Sequence, residues 1–209
     1  MNNTPHTNCL TLRLLHAAKG YKAVAFDIFD TLLKRDCARP ADLFALMEVT
    51  HQAALGFAEA RVAAEAETRQ TLGREMTLAE IYAHPALRGT DPAAECAAEL
   101  AMIAPNRPVA QAAEACHARG QKVYAVSDMY LPKTQIEAML QKCGLDFLDG
   151  VFVSCEYGVQ KRSGKLFKLF LQQPALRPAD VLFVGDNPRA DFAGAALAGI
   201  RCFLLPQPT

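Results

Sequence analysis

The chain has 209 residues, 51% of them hydrophobic, which suffices for one sizeable core with a small accessory lobe but not for two large domains. Lys plus Arg number 22 and Asp plus Glu 22, so no global field recruits nucleic acid or an anionic membrane surface. No run approaches the ~20 apolar residues of a membrane span, and the expected partner is a small molecule or another protein, a second copy of the chain included.

Residues 1–19 contain Leu10, Leu12, Leu14 and Leu15 between polar residues, a pattern that predicts an N-terminal extension with a short helix and no leader peptide. The first strand follows at Lys22 to Phe26 and delivers Asp27 at its end. From Asp36 to about Asn106 no strand-like run is found. The composition turns Ala- and Glu-rich, as in residues 59–67, and predicts an inserted set of short helices. Thr77-Leu78-Ala79-Glu80 has capping-box spacing, and Thr90-Asp91-Pro92 predicts a helix entry running to about Ile103.

Beyond the insertion, apolar runs and helical patterns alternate. Strands are predicted at Lys122 to Val126, Val151 to Val153, Val181 to Val184 and Cys202 to Leu205, and helices at Val109–Ala118, Lys133–Lys142, Gly164–Gln172 and Arg189–Ala198. The strands are continuously apolar rather than alternating, as expected when both sheet faces are covered. The fold class is therefore α/β, a doubly wound parallel sheet with right-handed crossovers. An insertion directly after the first strand would stand over the carboxyl ends of the strands, where open α/β sheets bind ligands, and acts as a lid in this reading.

Asp27, then Ser127 with Asp128, then Asp186 after Gly185, all follow predicted strands and so converge on one edge of the sheet. Asp191 sits in the first turn of a helix opened by Asn187 and Pro188 and turns a further carboxylate toward them. Crowded carboxylates raise one another's pKa unless a cation neutralises them, and an all-oxygen set suits Mg²⁺. The seven cysteines show no Cys-x-x-Cys pair and read as buried thiols of a reducing cytoplasm, Cys155 included. Taken singly, each acid is a turn former and Lys161 a solvated loop charge; their joint placement argues otherwise.

In Asp27-Ile28-Phe29-Asp30-Thr31-Leu32, Ser127, Lys161 ahead of Gly164-Lys165-Leu166-Phe167, and Gly185-Asp186-Asn187-Pro188-Arg189-Ala190-Asp191, the chain resembles the haloacid dehalogenase superfamily from roughly Lys22 to Leu205. The wording Phe26 to Leu33 with Ser127 to Pro132 further resembles a branch of hydrolases associated in part with surface-polysaccharide synthesis. The resemblance implies a Rossmann-like core over residues 20–35 and 107–209 and a helical cap over 36–106. It implies that Asp27 attacks phosphorus to form an aspartyl-phosphate, while Ser127 and Lys161 hold the phosphoryl oxygens with Asp128 and Phe29 beside them. It also implies Mg²⁺ held by Asp27, Asp186 and the Phe29 backbone carbonyl, with Asp191 completing the acidic set by orienting a water of that ion or Lys161.

Phe29 departs from the family pattern, because that position usually holds the general acid and base, a group worth ~10²–10⁴-fold in rate. Asp30 is a candidate displaced acid, although a turn or helix-entry role is the more economical. The expected function is a Mg²⁺-dependent phosphatase or phosphotransferase for a small phosphorylated metabolite, slow where the leaving group needs a proton. The alternatives are a dehalogenase-like hydrolase, in which an aromatic at position 29 is unsurprising, and a phosphate-binding domain without turnover.

Overall fold

The computed structural model describes residues 9–206. Helix α1 (Cys9–Ala17) leads into β1 (Ala23–Phe26), and a tight loop through Asp27 and Phe29 reaches the short strand β2 (Leu33–Arg35). Residues 1–8 of the expected extension, and residues 207–209, lie outside the described part. Four helices follow: α2 (Asp42–Val49), α3 (Phe57–Leu72), α4 (Leu78–Tyr82) and α5 (Pro92–Met102). Both predicted helix entries form: Thr77 and Glu80 make a reciprocal capping box, and the Asp91 side chain accepts the Ala93 N–H with Pro92 as first helical residue.

The interval read as strandless does contain one strand, β3 (Ile103–Pro105), which pairs antiparallel with β2. Three residues ending in proline are too few to show a period of two, so neither half of this ribbon is visible to pattern reading. The ribbon is tied to the loop after β1 by Asn106, whose side-chain amide donates to the Thr31 carbonyl at 2.7 Å.

The chain then alternates as expected: α6 (Arg107–Ala118), β4 (Lys122–Ser127), α7 (Lys133–Lys142), β5 (Gly150–Val153), α8 (Ser154–Tyr157), α9 (Lys165–Gln172), β6 (Val181–Gly185), α10 (Gly194–Leu197) and β7 (Arg201–Leu204). Five strands form one parallel sheet in the order β5-β4-β1-β6-β7, with β1 at its centre. Successive β1 residues feed opposite layers: Val24 and Phe26 pack with α1, α6 and α7, while Ala23 and Ala25 pack with Leu166, Phe167 and Phe170 of α9. This is the two-faced burial that the apolar runs require.

Helices α2 to α5 enclose a separate apolar cluster that includes Leu43, Phe44, Met47, Phe57, Met76 and Ile81. Inside this layer lies a fully buried charge, Arg61. Its guanidinium grips Glu95 at 2.6 and 2.8 Å, reaches Glu65 at 3.1 Å, and lies over the rings of Phe44 and Tyr130 at 4.7 and 4.8 Å. Burying such a group is tolerable only because its donors are matched in this way.

Candidate active site

Register alone brings the chemical residues together. Phe26 pairs with Ala125 on β4 and with Val184 on β6, so Asp27, Ser127 and Asp186 emerge from three adjacent strands at one level. The Asp27 N–H donates to the Val184 carbonyl at 2.8 Å, which fixes its backbone at the end of the strand. Ser127 is buried as the last residue of β4.

Asp191 is brought back by an unusual turn. The predicted helix Arg189–Ala198 is split: Pro188–Ala193 forms a widened π turn, and only then does α10 begin. Asn187 caps it by accepting the Arg189 and Ala190 N–H groups at 2.9 and 3.0 Å. The extra residue in the turn lets Asp191 Oδ2 accept the Asp186 and Asn187 N–H groups at 3.0 and 2.9 Å, an arrangement that a 3.6-residue period does not anticipate. Two glycines make room. A Cβ on Gly185 would collide with the Asp191 carboxylate, and one on Gly194 with the Lys161 carbonyl.

Lys161 lies at the centre of the cluster, only 2% exposed. Its Nζ is 2.6 Å from Asp27 Oδ1 and 2.7 Å from Asp191 Oδ1, and its N–H donates to Asp128 Oδ1 at 2.8 Å. Burial works against the ammonium, but Asp27, Asp191 and Asp128 outweigh it and hold its pKa above the ordinary lysine value. Burial pushes the Asp27 carboxyl up to about 7, with Lys161 opposing and Asp191 adding to the rise. Asp186 and Asp128 are likewise raised, mainly by burial.

Asp27, Asp186 and Asp191 each offer a carboxylate oxygen, all within 4.8 Å of one another. Fully ionised, these three carboxylates exceed the one ammonium by two negative charges, before Asp128 is counted, and the raised Asp27 and Asp186 values reflect the cost of burying them without a further cation. Among the described residues, Asp191 Oδ1 is a buried side-chain oxygen whose close contact is the Lys161 ammonium at 2.7 Å. Hard oxygen donors and an excess of carboxyl over ammonium groups fit a small divalent cation.

The remaining predicted residues fall around this cluster. Phe29 is buried beneath the Arg35 guanidinium, 4.0 Å from ring centroid to Cζ, and Glu99 grips Arg35 at 2.9 and 3.2 Å. Asp30 is exposed and adopts φ 59°, a left-handed conformation that Asp tolerates in turns. Cys155 donates to the Leu131 carbonyl, and burial pushes its thiol up to about 12, which leaves no thiolate for chemistry. A cavity of about 920 Å³ opens beside the cluster, walled by Phe29, Asp128 and Tyr130 on the sheet side and by Phe44, Val62 and Arg69 on the helical side.

Sequence reasoning missed one buried acid at this cavity. Glu75, between α3 and α4, accepts from the Ser154 hydroxyl at 2.7 Å and from the Gln160 amide. Standing outside any helical period beside Gly73 and Arg74, it reads in sequence as a solvated loop charge.

A family model for haloacid dehalogenase-like hydrolases matches residues 21–199. The chain belongs to this family. Among solved structures, a phosphatase of the family from Thermococcus onnurineus superposes with a TM-score of 0.63 at 20% identity, covering 88% of this chain and 86% of that one. L-2-haloacid dehalogenase from Xanthobacter autotrophicus gives 0.60 at 22% identity, with 87% and 76% covered. A family hydrolase from Bacillus subtilis, bound to magnesium, gives 0.60 at 19% identity, with 87% of each covered. At such identities the likeness concerns the fold. In sequence, phosphoserine phosphatase from Thermus thermophilus is 41% identical over 51 residues, 24% of this chain and only a fifth (20%) of that protein. In this member of the haloacid dehalogenase-like hydrolases, the polar cluster lies at the strand ends of an α/β core.

Proposed function

We propose that the chain is a Mg²⁺-dependent phosphatase or phosphotransferase acting on a small phosphorylated metabolite through Asp27. One observation carries the reading: Lys161 joins Asp27 to Asp191 at 2.6 and 2.7 Å within a cluster that has two more carboxyl groups than ammonium groups. Such a cluster suits a divalent ion and then a phosphoryl group, whose oxygens Lys161 and Ser127 would hold. Asp27, Asp186 and the Phe29 carbonyl would hold Mg²⁺, with Asp191 beside them, and the ion would offset phosphoryl charge. Residues 36–106 serve as a helical cap over a core of residues 20–35 and 107–209. Seven unpaired cysteines agree with a reducing cytoplasm.

In this mechanism an Asp27 oxygen forms a bond to phosphorus in line as the bond to the leaving oxygen breaks. Water, or an acceptor hydroxyl, then takes the phosphoryl group and restores the carboxylate. Phe29 carries no proton, so the leaving group departs as an anion or is protonated by water in the cavity. Acyl and aryl phosphates should therefore outpace alkyl phosphates. The phosphoserine phosphatase similarity supports phosphoryl chemistry without naming the substrate.

The test is phosphate release across a substrate panel. It should require Mg²⁺ and vanish in Asp27→Asn. A dehalogenase-like reaction is the second reading, favoured by the aromatic at position 29, and metal-independent halide release would establish it instead. Orthophosphate binding without turnover would leave a recognition domain.

A further inference from the structure

Glu75 is 5% exposed, yet it joins three parts of the chain. It sits on the loop between α3 and α4, in the helical segment. Its Oε2 accepts the Ser154 hydroxyl proton at 2.7 Å, and Ser154 Oγ in turn accepts the Met129 N–H at 2.9 Å. Its Oε1 accepts from Gln160, the residue before Lys161, and is approached by Arg69 at 3.4 Å. Asp128 closes the circuit by accepting the Lys161 N–H at 2.8 Å. One buried carboxylate thus links the backbone after Ser127, through Ser154, and the Gln160 side chain next to Lys161 to the helical segment, with the Leu78 N–H to Tyr130 carbonyl bond (2.8 Å) alongside.

The chemistry of an ionised carboxylate explains the direction of these bonds. It only accepts, so Ser154 must spend its single proton on Glu75 and offer a lone pair to Met129 N–H. Without that acceptor the hydroxyl is free to turn toward the Met129 carbonyl, 3.4 Å away, and the bond that sets the loop after Ser127 is no longer enforced. The negative charge itself disfavours a neighbouring anion, so what Glu75 supplies to phosphoryl binding is geometry.

We infer that Glu75 is a positioning residue for the phosphoryl-holding pair Ser127 and Lys161, and that it makes their correct spacing depend on the seating of the helical segment. The inference rests on the phosphoryl reading above. It assigns the helical segment a part in assembling the site as well as in covering it.

Orthophosphate affinity in the presence of Mg²⁺, measured by calorimetry and by inhibition of phosphate release, tests the assignment. Glu75→Ala and Ser154→Ala should each weaken orthophosphate about tenfold, the loss of one buried hydrogen bond to a charged group. Mg²⁺ affinity, set by Asp27 and Asp186, should stay within about twofold of wild type, since neither ligand touches Glu75. Glu75→Gln keeps an acceptor for Gln160 and should recover part of the orthophosphate loss. Should Glu75→Ala fail to fold, Ser154→Ala and Gln160→Ala carry the same test. Unchanged orthophosphate affinity in the folded variants would overturn the inference alone, as would an equal loss of Mg²⁺ affinity. A wild-type protein that neither binds orthophosphate nor releases it would overturn the phosphoryl reading and this inference with it.

Discussion

Burial holds Asp27 above its ordinary value of 3.8, up to about 7, in the metal-free protein. The folded state therefore binds this proton more readily than the unfolded chain. That contribution to stability is full below the unfolded value near 3.8 and is lost as pH rises through about 7. In a chelator, the melting temperature should accordingly fall between about pH 4 and about pH 7 and level off above, and Asp27→Asn should flatten the fall. Mg²⁺ should raise the melting temperature most at the alkaline end, because it binds the ionised form. A wild-type profile as flat as that of Asp27→Asn would refute the burial argument. Position 29 permits a gain-of-function test. Phe29→Asp supplies the missing acid and should speed hydrolysis of an alkyl phosphate by ~10²-fold or more while leaving p-nitrophenyl phosphate nearly unchanged. It should also destabilise the fold by ~3 kcal/mol or more, because a buried ring packed in the core and under Arg35 is lost. Equal effects on both substrates would show that proton supply is not what Phe29 removes.

At the scale of elements, the π turn and helix α3 hold the features that pattern reading did not reach. Gly194→Ala drives a methyl group into the Lys161 carbonyl, so it should cost ~1–3 kcal/mol in denaturant titrations. Because the displaced loop carries Lys161, phosphate release should fall as well. In α3, Arg61→Met leaves Glu95 buried without its partner and should cost ~3–5 kcal/mol, whereas Arg61→Met with Glu95→Met should cost far less than the two singles summed. Neither feature was legible. Arg61 sits in Glu59-Ala60-Arg61-Val62, where a charge ordinarily marks the solvated face, and only the tertiary arrangement of Glu95 and three rings makes it a core residue. The parallel strands were legible for the converse reason: sheet burial on both faces writes itself into Val24-Ala25-Phe26 and Val181 to Val184 as unbroken apolar runs. Asp27, Ser127 and Asp186 could be placed because each closes such a run. Glu75, Arg35 and the three-residue ribbon strands close none, and their positions depend on contacts distant in sequence.

At the scale of the molecule, the question is whether the helical layer and the sheet layer are one cooperative unit. Helices α2 to α5 and their loops span roughly 60 residues, a size at which a lone core is marginal. Their cluster is also broken by the Arg61 and Glu95 charges. The layer is held to the sheet by more than its two chain connections. Glu99 grips Arg35, the Gln135 amide donates to the Cys96 carbonyl at 2.6 Å, and Lys142 donates to the Leu100 carbonyl at 2.6 Å. Tyr130 packs against the apolar clusters of both layers. A marginal core with such anchors should not survive loss of the sheet, nor release its anchors before it. Cys96, on α5 and packed against the sheet-side core, reports on the seam between the layers and buried Cys116 on the sheet layer, so thiol labelling across a urea series should give coincident midpoints for the two. A lower midpoint for Cys96 would mean that the helical layer opens on its own, and Glu75→Ala should then widen the separation by removing one of its buried anchors.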